Sequence, residues 1–176
     1  MRKLRQSPIK YAIFRTKWGW CGIAGTKEGL LRAELPCQSR LQVKSRLLAD
    51  LKDPQYSKGY FLSVQSKIKD YFAGKKVDFK SVPVLMDRFR PFSKDVLRAC
   101  RKIEFGDTKS YAELAGKVKK QSAARAVGNA VAINPVPLII PCHRVICSDR
   151  RIGKFSAAGG QKTKRKLLAL ESSANS

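Results

Sequence analysis

Histidine is almost missing from this chain: His143 is the single one in 176 residues. Acidic residues are also few, 13 against 37 Lys+Arg. No run of about 18 uninterrupted apolar residues exists, so no membrane-spanning helix is expected. The five cysteines contain no Cys-x-x-Cys pair and are irregularly spaced. With one histidine to join them, a zinc site has few ligands. Their odd number fits a reduced, intracellular compartment. The basic start, Met1-Arg2-Lys3-Leu4-Arg5, is followed by no apolar run, which argues against a secretory signal.

What is abundant is positive charge. The formal net charge is +24. Residues 1–91 hold 20 basic and 7 acidic residues, and residues 92–176 hold 17 and 6. The excess is therefore spread over both halves and is no basic tail on a neutral body. It favours a polyanionic partner, most simply nucleic acid. At 43% hydrophobic residues, the chain can still bury a real core.

The first half reads as α/β. Residues 9–14 and 18–24 are strand-like, Gly25 to Gly29 is a turn, and residues 30–35 are the return strand of a hairpin. Residues 39–51 have helical spacing through Leu41, Leu47, Leu48 and Leu51. Residues 61–72 form a second amphipathic helix with Leu62, Ile68, Tyr71 and Phe72 on a broad face, stopped by Gly74. Residues 77–84 read as extended. No chemistry is visible here, and support plus added positive surface are the expected roles. Pro83 to Pro91 is the candidate boundary, giving domains at 1–87 and 92–171.

The second half reads as mainly helical. Residues 92–103 are helical, with Ser93 a candidate cap. Ser110 caps a short helix over 111–115, and Glu113 completes a capping box. Gly116 opens a basic turn. Ser122 caps a helix over 123–133 that places Arg125, Gly128, Asn129 and Ala132 on one side. Two helices joined by a short turn form a helix-turn-helix pattern. One long cation among small residues can approach a nucleic-acid groove closely, although an alanine-rich packing helix reads the same way.

Chemistry concentrates in Pro141-Cys142-His143-Arg144-Val145, entered through the apolar strand-like run Pro137-Leu138-Ile139-Ile140. A thiol needs a base to become a good nucleophile near neutral pH, and imidazole titrates in the right range. Neighbours on a strand face opposite ways, so the pair cooperates only if the backbone bends or a water bridges it. A buried structural cysteine is the plainer alternative. Residues 152–160 form a loop of small residues, suited either to a flat ligand or to an ordinary surface. In the last helix, residues 161–171, Lys164, Leu167, Leu168 and Glu171 share a face. Glu171 can orient His143 from behind, or be a solvated carboxylate.

Ser110-Tyr111, Ala124-Arg125-Ala126-Val127-Gly128, Asn134-Pro135-Val136-Pro137, Ile140-Pro141-Cys142-His143-Arg144-Val145, Lys164, Leu167-Leu168 and Glu171 occur in one order. Together they resemble the O⁶-alkylguanine-DNA alkyltransferases over residues 92–171. The first half resembles that family only through its length and the hairpin from Trp18 to Leu35. The resemblance implies a ribonuclease-H-like α/β domain and a winged-helix or helix-turn-helix-like domain. It implies a monomer on the minor groove of double-stranded DNA carrying alkylated guanine; whether O⁴-alkylthymine is also a substrate stays open at this point.

By the same resemblance, Cys142 is nucleophile and final acceptor, His143 takes its proton through a water, and Glu171 holds His143. Asn134 braces the turn, and Tyr111 protonates the leaving guanine and crowds the phosphate. Arg125, beside Ala124, fills the stack vacated by the flipped base. Val145, Ser156, Phe155 and Pro137 border the base pocket, while Ser93 and Ser148 touch the DNA backbone. A thioether is stable, so one event per molecule is expected, with no cofactor and no metal. The expected place is the cytoplasm with its DNA, or a nucleus if the source is eukaryotic.

Departures are visible. The histidines that hold a structural zinc in some relatives are missing. Arg150 stands where a turn glycine is common, and Phe155 where tyrosine is. Three residues, Ser156-Ala157-Ala158, replace a one-residue spacer. Competing readings are a non-catalytic lesion sensor, which lacks the acceptor cysteine; a basic helix-turn-helix regulator, which leaves Cys142, His143 and Glu171 unused; and a cysteine hydrolase, which needs an oxyanion hole.

Overall fold

The computed structural model describes residues 7–174. The basic stretch Met1 to Arg5 lies outside the described residues. The N-terminal domain is built on a four-stranded sheet. Strands β1 (Lys10–Thr16), β2 (Gly19–Thr26) and β3 (Gly29–Cys37) form an antiparallel meander, and the short β4 (Gln55–Tyr56) pairs parallel to β1. The order is β3-β2-β1-β4.

The pleat of β1 sorts its side chains between two layers. Tyr11 and Ile13 pack with Val43 and Leu47 of helix α1 (Arg40–Leu48). Ala12 and Phe14 point the other way, into the main core with Val64, Ile68 and Phe72 of helix α2 (Leu62–Phe72). Ser39 caps α1, its hydroxyl accepting from the Gln42 N–H. α2 gives way to Gly74, at φ +88°.

Three expectations fail here. Leu41 is 75% exposed and Leu62 63% exposed. In their place Val43 is buried in α1 beside the expected Leu47, and Val64 and Gln65 are buried in α2. Hydrophobic spacing marked the right helices, but packing partners choose which residues are covered. Residues 77–84 are not extended throughout: the Val82 N–H donates to the Phe79 carbonyl and closes a turn, with both side chains in the core. Val84 alone keeps a bridge, to Leu30.

The C-terminal domain is mainly helical. It comprises α3 (Pro91–Arg101), β5 (Lys109–Ser110), α4 (Tyr111–Lys117), α5 (Ala124–Ala132), a 3₁₀ turn Cys142–Arg144, β6 (Val145–Ile146) and α6 (Gly160–Ser173). β5 and β6 pair in parallel. The capping box at α4 is complete: Ser110 Oγ accepts from the Glu113 N–H, and Glu113 Oε2 accepts from the Ser110 N–H. Gly116 lies inside α4 and does not open the turn.

Two expected caps are absent. α3 starts with Pro91 at its first position after Arg90, so Ser93 sits in the first turn and caps nothing. α5 is preceded by Ala123, with no side-chain cap from Ser122. The run 137–140 is a tight turn, with Pro137 bridged to Ile140 and Leu138 at φ +77°.

One buried cluster runs through both domains, from Ala12 and Ile23 through Tyr71 and Phe79 to Leu97, Ile139 and Leu167. The backbone joins them as well: the Ala33 N–H of β3 donates to the Pro135 carbonyl at 2.9 Å. Among the described residues no helix is long and apolar enough to cross a membrane.

Candidate active site

The turn over 137–140 and the 3₁₀ turn after it set the position of the thiol. Asn134 sits where α5 has ended, and its side chain holds both turns. Its Oδ1 accepts from the Val136 N–H at 3.1 Å, which fixes the orientation of the amide. Its Nδ2 then donates to the Ile140 carbonyl at 2.8 Å and to Cys142 Sγ at 3.1 Å. The 3₁₀ backbone supplies the bend that a strand would have denied, so Cys142 and His143 need not face opposite ways.

Cys142 is buried but lines an open cleft of about 670 Å³. Burial pushes its thiol above the ordinary value, while the Asn134 hydrogen bond and the Lys164 charge pull it down. The same cleft is walled by Tyr111 and by Ala124, Arg125, Gly128 and Asn129 of α5. Ser148, Gly153, Phe155 and Ser156 close the other side. Gly153 is required there. It has φ +71°, and a Cβ would stand 3.1 Å from the Tyr111 hydroxyl and 3.3 Å from Cys147 Sγ.

Behind the thiol, His143 is fully buried. Its Nε2 lies 2.7 Å from Glu171 Oε1. A carboxylate only accepts, so Nε2 carries the proton and Nδ1 holds the free lone pair of the neutral ring. Nδ1 is buried with no protein partner. Burial, helped by Arg144 and Lys164, pushes His143 below its ordinary value, against the pull of Glu171.

Glu171 is buried, not solvated. Burial alone would raise its carboxyl, but hydrogen bonds from His143 and Arg144 override this and hold it down at about 2. Arg144 donates Nε to Oε2 at 2.9 Å and a terminal nitrogen to Oε1 at 2.9 Å. Its other terminal nitrogen reaches the Ile103 carbonyl at 2.7 Å. The Gly106 N–H donates to Oε2, also at 2.9 Å.

Lys164 is buried one helical face along from Glu171. It donates Nζ to the Val145 carbonyl at 2.5 Å and lies 5.8 Å from the Tyr111 ring centre. Burial lowers its affinity for its proton. Among the described residues no group of three or more His, Cys, Asp or Glu is arranged to hold a metal ion.

Of the residues singled out from sequence, Cys142, Tyr111, Arg125, Ala124, Ser148, Phe155 and Ser156 share the cleft. His143, Glu171 and Asn134 form the support beneath it. Three do not join them. Ser93 lies in the first turn of α3, away from the cleft lining. Pro137 and Val145 are buried outside that lining, Pro137 in its own turn and Val145 with its carbonyl given to Lys164.

Sequence reasoning missed Tyr71, whose hydroxyl donates to Glu171 Oε1 at 2.7 Å, and so the first half does carry a group that touches this network. It also gave Arg144 and Lys164 no role. Arg144 stood inside the quoted pentapeptide and Lys164 on the Glu171 face, so both had a signal.

The chain matches two family models. Residues 9–86 match "6-O-methylguanine DNA methyltransferase, ribonuclease-like domain", and residues 91–173 match the DNA binding domain of the same family. A methylated-DNA–protein-cysteine methyltransferase of Methanosarcina acetivorans is 32% identical over 166 residues, covering 93% of this chain and 98% of that protein. One from Haemophilus influenzae is 39% identical over 111 residues, 63% of this chain. The chain spans 60% of the Haemophilus relative's length and 38% of a hamster relative's. The crystal structure of Mycobacterium tuberculosis OGT in complex with DNA superposes with a TM-score of 0.76 at 31% identity, covering 94% of both chains.

Proposed function

This chain belongs to the 6-O-methylguanine DNA methyltransferases, and from that premise we propose that it repairs DNA by moving an alkyl group from guanine O⁶ to its own Cys142. The observation that carries this reading is the placement of Cys142 Sγ at the floor of the cleft, bonded to Asn134, with a Glu171-held histidine as the next residue. The thiol proton passes through a water to His143 Nδ1. The sulfur–carbon bond forms as the carbon–oxygen bond breaks, and the guanine anion takes a proton from Tyr111. Burial raises the Tyr111 hydroxyl, which keeps it protonated until that moment. The proton held on His143 then returns through water to the Tyr111 phenolate, so that thiol and alkylguanine become thioether and guanine and the step balances without a cofactor. A thioether leaves no route back, and each molecule acts once.

The target carbon is out of reach inside a duplex, so the base is turned out into the cleft. α4 and α5 act as a helix-turn-helix on the minor groove, with Arg125 filling the gap in the stack and Ser148 beside the backbone. The net charge supplies sequence-independent attraction to phosphate. We divide the chain between a ribonuclease-H-like supporting domain, 1–87, and a winged-helix-like reacting domain, 92–171. It acts as a monomer in a reducing compartment that holds DNA. Methylated duplex should add one methyl group to the Cys142 peptide, read by mass spectrometry, while Cys142→Ala binds the duplex and acquires none. Label on another residue, or turnover beyond one equivalent, would sink the reading.

A further inference from the structure

The hydroxyl of Tyr71 enters the Glu171–His143 pair from the opposite half of the molecule. It donates to Glu171 Oε1 at 2.7 Å and stands 3.4 Å from His143 Nε2. The ring is wholly buried on α2, meeting Phe72 and Phe105 edge-on and tilted against Phe79. Burial and then the Glu171 charge push the phenol well up, so it stays a donor throughout the working pH range. A second link between the halves is the Ala33 N–H of β3, which donates to the carbonyl of Pro135, the residue after Asn134. The N-terminal domain therefore bonds Glu171 directly and the backbone one residue beyond Asn134.

We propose that Tyr71 is a positioning residue for the transfer step: its hydroxyl fixes and tempers the Glu171 carboxylate that orients His143. The inference rests on the alkyl-transfer reading of Cys142. Each donor on Oε1 draws negative charge away from the imidazole side. With too few donors, the carboxylate holds His143 as imidazolium, which cannot take the thiol proton. The groups facing His143 are Glu171 and Lys164 from α6, Arg144 and Cys142 from its own turn, and Tyr71 from α2. Of these, Tyr71 is the neutral donor that can be removed while the ring stays in place.

The test is the rate of methyl transfer to Cys142 against pH, in the full chain, with unmethylated duplex binding measured beside it. Tyr71→Phe should move the acid limb to higher pH. It should also slow transfer at neutral pH about three- to tenfold, the equivalent of one hydrogen bond, and leave duplex binding unchanged. A fluorinated tyrosine at 71, with a more acidic hydroxyl, should move the limb to lower pH. If Tyr71→Phe does not fold, the fluorinated protein decides the question alone. An unmoved limb in either folded protein, or both limbs shifting the same way, overturns the proposal and leaves Tyr71 a packing residue. Absence of transfer in the unsubstituted protein is a different result and removes the functional reading itself.

Discussion

Arg144 lies side-on along Glu171, two nitrogens against two oxygens at 2.9 Å each, with both side chains buried. Removing one member leaves the other charge stranded where water cannot reach it. Glu171→Leu should therefore cost about 3–5 kcal/mol of folding stability. The double variant Arg144→Met with Glu171→Leu should recover only part of that loss: the stranded charge is gone, but His143, Tyr71 and the Gly106 N–H still lack their acceptor. Urea denaturation of the three proteins checks both statements. Equal instability of the single and double variants would show that the pair is not isolated in this way.

Stability should fall on both sides of neutrality. His143 is depressed below its ordinary 6.5, so the unfolded chain binds its proton first, and stability drops as pH falls below 6.5. Glu171 is held near 2 against an ordinary 4.5, so its contribution is present above 4.5 and is lost between 4.5 and about 2. The thiols run the other way. Cys142 and Cys100 are raised by burial and Cys21 is raised to about 12, so their contribution is present below the ordinary 9.0 and fades above it. Denaturant midpoints across pH should give a plateau between about 6.5 and 9.

Asn134→Ala should slow transfer more than it weakens DNA binding. The amide is a donor to Cys142 Sγ, and it is one of the influences that favour the thiolate. Losing it should lower the transfer rate about tenfold, the effect of a hydrogen bond of about 1.4 kcal/mol. Rapid-quench measurement of methyl transfer, beside a duplex-binding isotherm, separates the two effects. An unchanged rate would mean that the amide serves only the turn.

How much of this could be read in advance differs from residue to residue. The Lys164 to Glu171 spacing, one helical face seven residues long, makes Glu171 a candidate to orient His143 but equally a solvated carboxylate, and it is the family resemblance that picks the first. The capping box at Ser110 was equally plain, because its partners are three residues apart. Leu41 and Leu62 were misplaced because a hydrophobic period says which side of a helix is apolar, not where its neighbours end. Tyr71 was invisible as a donor: it lies 100 residues from Glu171 and 72 from His143, and its ring reads as core. Only tertiary packing gives it a carboxylate to meet.

Arg150 is a residue whose conformation the sequence did signal, since it stands in a turn where glycine is common. It adopts φ +66° in the exposed turn closed by its N–H on the Cys147 carbonyl. A side chain in the left-handed region costs about 1–2 kcal/mol, which glycine avoids. Arg150→Gly should raise the stability by about 1 kcal/mol. A thermal melt checks this, and a lowered melting temperature would mean that the arginine makes a compensating contact.

The buried cluster that runs unbroken from Ile23 to Leu167 has a mechanical consequence. A single protease nick between Asp87 and Arg88, both exposed, would cut the chain without releasing either piece, since each would have to bare half of a shared interior to leave. Denaturing gels would show two fragments, while gel filtration would still show one particle.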